Sequence, residues 1–304
     1  MNKIDCLVNS IKEQSDSVNL ISKIFEAKLM TLSFDKFNSD HWGLKIIHDS
    51  LVKVLHIVEK ELDSTETLNV VSVARYICEL NIQLNLIKND SRYSLVYYGE
   101  LIKNQREYWS RFKDQLDREV IAFNSLKKQE DKLINHILED ILQMPMGPEQ
   151  IEALRSLSQY VFKTIDEKAD RIFSIHAEQA KTNGYDFQAI LIAKKQLPQV
   201  IESIKEIDME NTIYNSNISA DIIEIVNSKM SWAKKSKKAS LYDDYHFIYS
   251  FSSKLLHALP ASISTNDPGL SNDEKIIFLK FIKIRMSDIM KLSQDHLKNK
   301  YHSN

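Results

Sequence analysis

Hydrophobic positions recur at intervals of three and four along most of the chain, the period of a helix buried on one face. Ile4, Leu7, Val8, Ile11, Val18, Ile21, Phe25 and Leu29 outline a first amphipathic helix to about Met30, and Ile46, Ile47, Leu51, Val54, Leu55 and Val58 a second from about Gly43 to Leu62. The stretch from Thr67 to Ile87 is different. Val70, Val73, Ile77, Leu80, Leu84 and Ile87 form its main stripe, and Val71, Cys78 and Ile82 widen it until most of the circumference is apolar. A helix of that kind is central, packed by neighbours on several sides. Its only charges, Arg75 and Glu79, share one narrow stripe with Ser72 and Gln83 at ~100° per residue.

From about Arg92 a long helical pattern runs through Trp109, Phe112, Leu116, Phe123, Leu133 and Ile141, and it stops at MPMGP, Met144 to Pro148. Pro148 can open a helix there and Gly147 permits a turn. A further helix is expected to about Lys181, so residues 92–181 read as an antiparallel helical hairpin, a projecting arm. Beyond Thr182 to Tyr185 a helix is expected to about Ile207, tolerating or kinking at Pro198, then a loop from Asp208 to Ser219 and a short helix from Ala220 to Met230. A helix from Asp244 to Leu259 carries Ile248, Phe251, Leu255 and Leu259, and Ser271 to Glu274 has the capping-box form that opens a last helix to about Leu297. The expected fold class is all-α: a single all-helical domain over residues 1–304, a multi-helix bundle with a long antiparallel hairpin.

Composition narrows the function classes. The chain has 304 residues, 43% hydrophobic and 27% charged, which suits a globular protein rather than large-scale disorder. A net charge of -2 makes no global case for nucleic acid, so RNA binding has to be argued from a local patch. The five glycines, at 43, 99, 147, 184 and 269, are all isolated, which excludes the glycine-rich phosphate loops of common nucleotide-binding folds. Cys6 and Cys78 have neither metal-ligand nor redox spacing, and no uncharged run reaches the ~18 residues of a membrane span. With an opening that lacks a signal-peptide core, a cytoplasmic protein without cofactor or metal is expected.

Four groups of residues carry candidate chemistry. Arg75 and Glu79, at i and i+4, are either a structural ion pair at the edge of a core or the wall of a polar pocket in which Arg75 meets an anion. Tyr249, Ser253 and His257, at i, i+4 and i+8, flank the apolar stripe of the late helix and are the polar partners best placed to complete that pair's hydrogen bonds. Lys234, Lys235, Lys237 and Lys238 beside Trp232 could hold a phosphate backbone or simply be solvated on a loop. His48, His56 and Glu59 could share one helix face as ligands or face solvent. No Glu-x-x-His for di-metal chemistry and no Gly-x-Ser-x-Gly for hydrolysis occurs.

The segment ARYICEL, with Arg75 and Glu79, and the series Trp232, Tyr245, Tyr249, Ser253 and His257 together resemble an uncharacterised bacterial all-helical family, a domain of unknown function. A more distant similarity is to HEPN helical domains, which are common in toxin and defence systems; several cut RNA without metal through an Arg and a His four to six residues apart. That resemblance implies a helical interaction module in bacterial stress or phage defence, with a protein partner or self-association, or alternatively a metal-independent RNase with His257 and Arg75 as catalytic groups. The chain departs from the HEPN pattern, since no Arg precedes His257 in that window. Arg171 and His176 have the spacing, but Ile172 follows the Arg where that family usually has a polar residue.

Overall fold

The computed structural model describes residues 2–256 and 269–301, and among them every regular element is a helix, with no strand. The all-α architecture expected from periodicity is the one present. The chain divides into two compact units, Met1–Glu100 with Tyr214–Asn304, and Leu101–Ile213.

The first unit is built on α3 (Thr67–Asn89), which packs against α2 (Ser39–Glu61), α10 (Trp232–Lys238), α11 (Tyr242–Leu256) and α12 (Asn272–Tyr301). Val70, Val71, Ala74, Ile77 and Ile82 of α3 are completely buried. α1 (Lys3–Thr31) packs on α2 and α12 through Ile11, Val18 and Phe25, and its first turn is closed by a capping box of Asn2 and Asp5. The box anticipated for the last helix is formed: Ser271 N–H donates to Glu274 Oε2 at 2.8 Å, and Glu274 N–H to Ser271 Oγ at 3.3 Å. Leu270 N–H also donates to Thr67 Oγ1 at 2.7 Å, tying the approach to α12 to the first residue of α3.

The second unit contains the hairpin. α4 (Tyr93–Leu142) enters it at Leu101, and α5 (Pro148–Ala169) returns along it. Leu116, Phe123, Leu126 and Ile141 of α4 share a core with Leu157, Val161, Ile165 and Ala169 of α5. Gln150 Nε2 donates to Ile141 O at 3.1 Å near the turn, and Lys168 Nζ to Gln129 Oε1 at 2.8 Å towards the other end, which is the antiparallel order. Pro148 takes the first helical position as expected, but Gly147 is extended (φ -179°), so the turn does not use a glycine's left-handed freedom.

Two helix ends differ from the sequence reading. α5 ends at Ala169 rather than Lys181, and a turn at 170–176 leads to α6 (Ala177–Asn183). That turn is held from α4: Glu119 Oε1 accepts the Ile175 N–H at 2.5 Å, its Oε2 lies 2.7 Å from His176 Nδ1, and Gln115 Nε2 donates to Phe173 O at 3.0 Å. After Gly184 (φ +95°) and α7 (Tyr185–Leu191), a π turn at Ile192–Gln196 precedes Pro198, whose missing N–H removes one α-type bond. The loop expected over Asp208 to Ser219 is instead the continuation of α8 (Leu197–Asn217), followed by α9 (Ala220–Asn227). Tyr214 explains the continuation within the first unit, because it is 1% exposed, its hydroxyl donates to Leu95 O at 2.8 Å, and it stacks edge-on against Tyr98.

Gly99 on α4 lies under that tyrosine, where a Cβ would stand 2.6 Å from the Tyr214 hydroxyl and 2.9 Å from Val226. Ala is ordinarily the better helix former by about 1 kcal/mol, yet overpacking here should win. Gly99→Ala is therefore expected to destabilise the fold by about 1–3 kcal/mol in urea unfolding; a more stable variant would contradict this packing. Burial alone would raise the Glu119 carboxyl, but bonds from Gln115, Ile175 and His176 outweigh it and hold it below the usual range. A depressed carboxyl stabilises the fold above its unfolded pKa and loses that contribution as pH falls through the folded one. Glu119→Gln should flatten the acid limb of stability against pH, measured by thermal unfolding from neutral pH downwards.

Candidate polar seam of the first unit

Polar groups of α3 meet those of α11 and α12 along one seam. Arg75 Nε donates to Glu79 Oε1 at 3.0 Å, the i, i+4 pair expected from spacing, and the Arg75 guanidinium lies over the Tyr249 ring, 4.9 Å from its centre. Tyr245 stacks on Tyr249 with ring centres 5.3 Å apart. Burial, reinforced by Tyr249 and Glu79 and opposed by Arg75, pushes the Tyr245 hydroxyl up to about 12. Arg75, Glu79 and Tyr249 are thus brought together. Ser253, one turn beyond Tyr249, has a buried hydroxyl with no hydrogen-bond partner, so it does not bond to the Arg75–Glu79 pair. His257 lies outside the described residues.

A second ion group continues the seam. Arg285 of α12 bridges Asp244 of α11 at 2.5 Å and Asp288 at 2.7 Å, while its carbonyl accepts from Asn81 Nδ2 of α3 at 3.1 Å. Residue spacing did not mark Asp244, Arg285 and Asp288 as a group, whereas Asn81 visibly interrupts an apolar helix. The arrangement joins three helices. Burial, with Asp244 and Glu79 adding and Arg285 opposing, pushes the Cys78 thiol up to about 12, leaving it protonated.

The lysine group sits on helix α10, not on a loop, and its members are unequal. Lys235 is buried and bonds Glu100 Oε2 at 2.6 Å, Lys238 donates to the Tyr93 hydroxyl at 2.9 Å, and Lys237 lies over the Tyr242 ring at 4.7 Å. Lys234 is exposed. Lys237 and Lys238 are exposed as well, so only Lys235 is withdrawn from solvent. Elsewhere, His176 is buried on Glu119 while Arg171 is exposed, so the Arg171–His176 spacing does not produce two groups open to one substrate. His48 lies 3.2 Å from Asp49, and among the described residues no three His, Cys, Asp or Glu side chains are grouped to hold a metal. No described helix is long and apolar enough to cross a membrane.

Glu119 is the residue of consequence that sequence reasoning missed in the second unit. It stands on the stripe Leu116, Glu119, Phe123, Leu126, where a carboxylate interrupts the apolar spacing; that interruption was readable. No protein-family model matches the chain, and neither a curated protein nor a solved structure matches it.

The seam predicts two results. In a double-mutant cycle, Arg75→Ala and Glu79→Ala should show a coupling of about 0.5–1 kcal/mol in chemical unfolding, as for a partly exposed pair; additive effects would dissolve the pair. Under native conditions at mildly alkaline pH, a thiol reagent should label Cys6, which is exposed, and spare Cys78 until the protein unfolds. Equal labelling of both would place Cys78 outside the core.

Proposed function

We propose that this chain is a helical interaction module whose partner-binding surface lies on the Leu101–Ile213 unit. The observation that carries the reading is the distribution of exposed apolar side chains. Among the described residues most of the large ones fall in this unit, including Tyr108, Ile121, Phe162, Phe173, Ile175 and Phe187. Some of them gather. Asn104, Glu107, Tyr108, Arg111, Phe112 and Gln115 of α4, with Phe173 and Ile175 of the 170–176 turn, line a groove of about 590 Å³. Exposed apolar surface organised around a groove is the usual mark of a docking site.

The first unit supports the reading from the other side, because the charges of its seam are spent on one another. Arg75 has its Nε on Glu79 and its face on Tyr249, which suits a brace between helices better than a cation waiting for phosphorus. Placement in the cytoplasm rests on the opening without a signal-peptide core and on apolar runs too short for a membrane span, and a role in bacterial stress or phage defence on the resemblance of the Arg75/Glu79 and Trp232-to-His257 stretches. Metal-independent RNA cleavage is the competing reading, with His257 moving a proton and Arg75 stabilising charge.

One experiment separates them. With a photocrosslinking amino acid at position 173 in living cells, a discrete protein adduct is expected that disappears when Tyr108→Ser is added, while the same probe at Leu68 in the first unit yields none. Equal adducts at both positions would contradict the docking surface. If the purified protein cleaves RNA in chelator and His257→Ala abolishes cleavage while the fold is kept, the interaction reading gives way to the nuclease.

A further inference from the structure

We propose that the α4 groove is occupied by α4 of a second copy of this chain, packed antiparallel about a twofold axis between Trp109 and Ser110. The inference rests on the docking surface just described and names its occupant.

The groove-lining positions of α4 are 104, 107, 108, 111, 112 and 115, separated by three, one, three, one and three residues, so the stripe reads the same in both directions. Antiparallel packing about that axis lays the stripe on itself: Asn104 opposite Gln115, Tyr108 opposite Arg111, and Glu107 opposite Phe112. A twofold contact requires a surface that is its own complement; the spacing, common to helix faces, permits the overlay, and the side chains that meet across the axis supply the complementarity.

The stripe carries one anion and one cation, Glu107 and Arg111, on opposite sides of the axis. Within one chain they bond at 2.5 Å, yet both remain largely exposed, the Arg111 side chain at 78% and Glu107 at 56%. In the antiparallel pair, Glu107 of each copy comes within reach of Arg111 of the other, and each Arg111 also meets a Tyr108 ring. A parallel pair would set Glu107 beside Glu107 and Arg111 beside Arg111, so the charges select the direction. The stripe is neutral overall, which offers no attraction for a strongly charged partner of either sign.

Phe173 is 86% exposed and Ile175 51%, yet the turn bearing them is fastened to α4 by the bonds from Ile175 N–H to Glu119 and from Gln115 to the Phe173 carbonyl. A large apolar side chain held out on an anchored turn loses little freedom on binding, as a contact anchor should. Each copy would close one flank of the paired helices with its own Phe173.

The test is sedimentation of the full chain over a wide concentration range, with helicity and cooperative melting checked for each variant. The wild type should dimerise. Glu107→Arg alone and Arg111→Glu alone each replace two attractions by two like-charge contacts, and each should weaken dimerisation about tenfold or more. Mixing the two variants should restore a dimer, since Arg at 107 in one then faces Glu at 111 in the other. Phe173→Ser should weaken dimerisation while leaving the melt unchanged at dilutions where both proteins are monomeric. A wild type that stays monomeric overturns the proposal, as does a dimer indifferent to both charge reversals, or reversed variants that fail to pair on mixing. If the wild type is monomeric while position 173 still crosslinks to a different protein, the second copy is excluded and the docking surface stands. If position 173 crosslinks nothing, the docking surface itself fails.

Discussion

A helix that is apolar on most of its sides can exist in water only if neighbours cover each of those sides, and α3 imposes that condition on the first unit. α2, α10, α11 and α12 all meet it, from segments far apart in the chain. The hydrophobic effect supplies the attraction but not the alignment, being non-directional. Direction comes from the few polar groups that α3 carries into the contact. Asn81, 1% exposed, spends its amide on the Ile77 and Arg285 carbonyls, and Arg75 is shared between Glu79 and the Tyr249 ring. Leaving such groups unpartnered would cost more than their net contribution when paired. The seam is therefore best understood as what fixes the register of three helices.

The second unit uses its polar groups in two ways. Glu119 and His176 are buried and hold a turn whose backbone would otherwise be unsupported, whereas Glu107 and Arg111 are exposed and exchangeable. Burial separates these roles. An ion pair closed off from water is committed to structure, while one in water contributes little to stability and is free to select a partner.

Much of this was legible from residue spacing. The helices, the break at Met144 to Pro148 and the Ser271–Glu274 box are local, and local patterns announce themselves. The meeting of Arg75 with Tyr249 could be anticipated because a charge on an apolar helix needs a partner and the late helix had polar side chains at the right intervals. What escaped was set at long range. Nothing near Asp208 shows that Tyr214 will be buried over Gly99 and draw the helix on to Asn217, and nothing near Ala169 shows that Glu119, fifty residues earlier, will hold the following turn. The lysines of α10 read as a solvated run because Glu100 and Tyr93, which engage two of them, are distant in sequence.

The claim at the centre of this account is that contact is made through the Leu101–Ile213 unit while the seam of the first unit stays structural. Amide hydrogen exchange, compared between dilute and concentrated protein, tests it most directly, because exchange reports local opening segment by segment. The account predicts that raising the concentration slows exchange in the 170–176 turn and leaves α3 and α11 unchanged. Slowing confined to α3 and α11, with the turn unaffected, would contradict it.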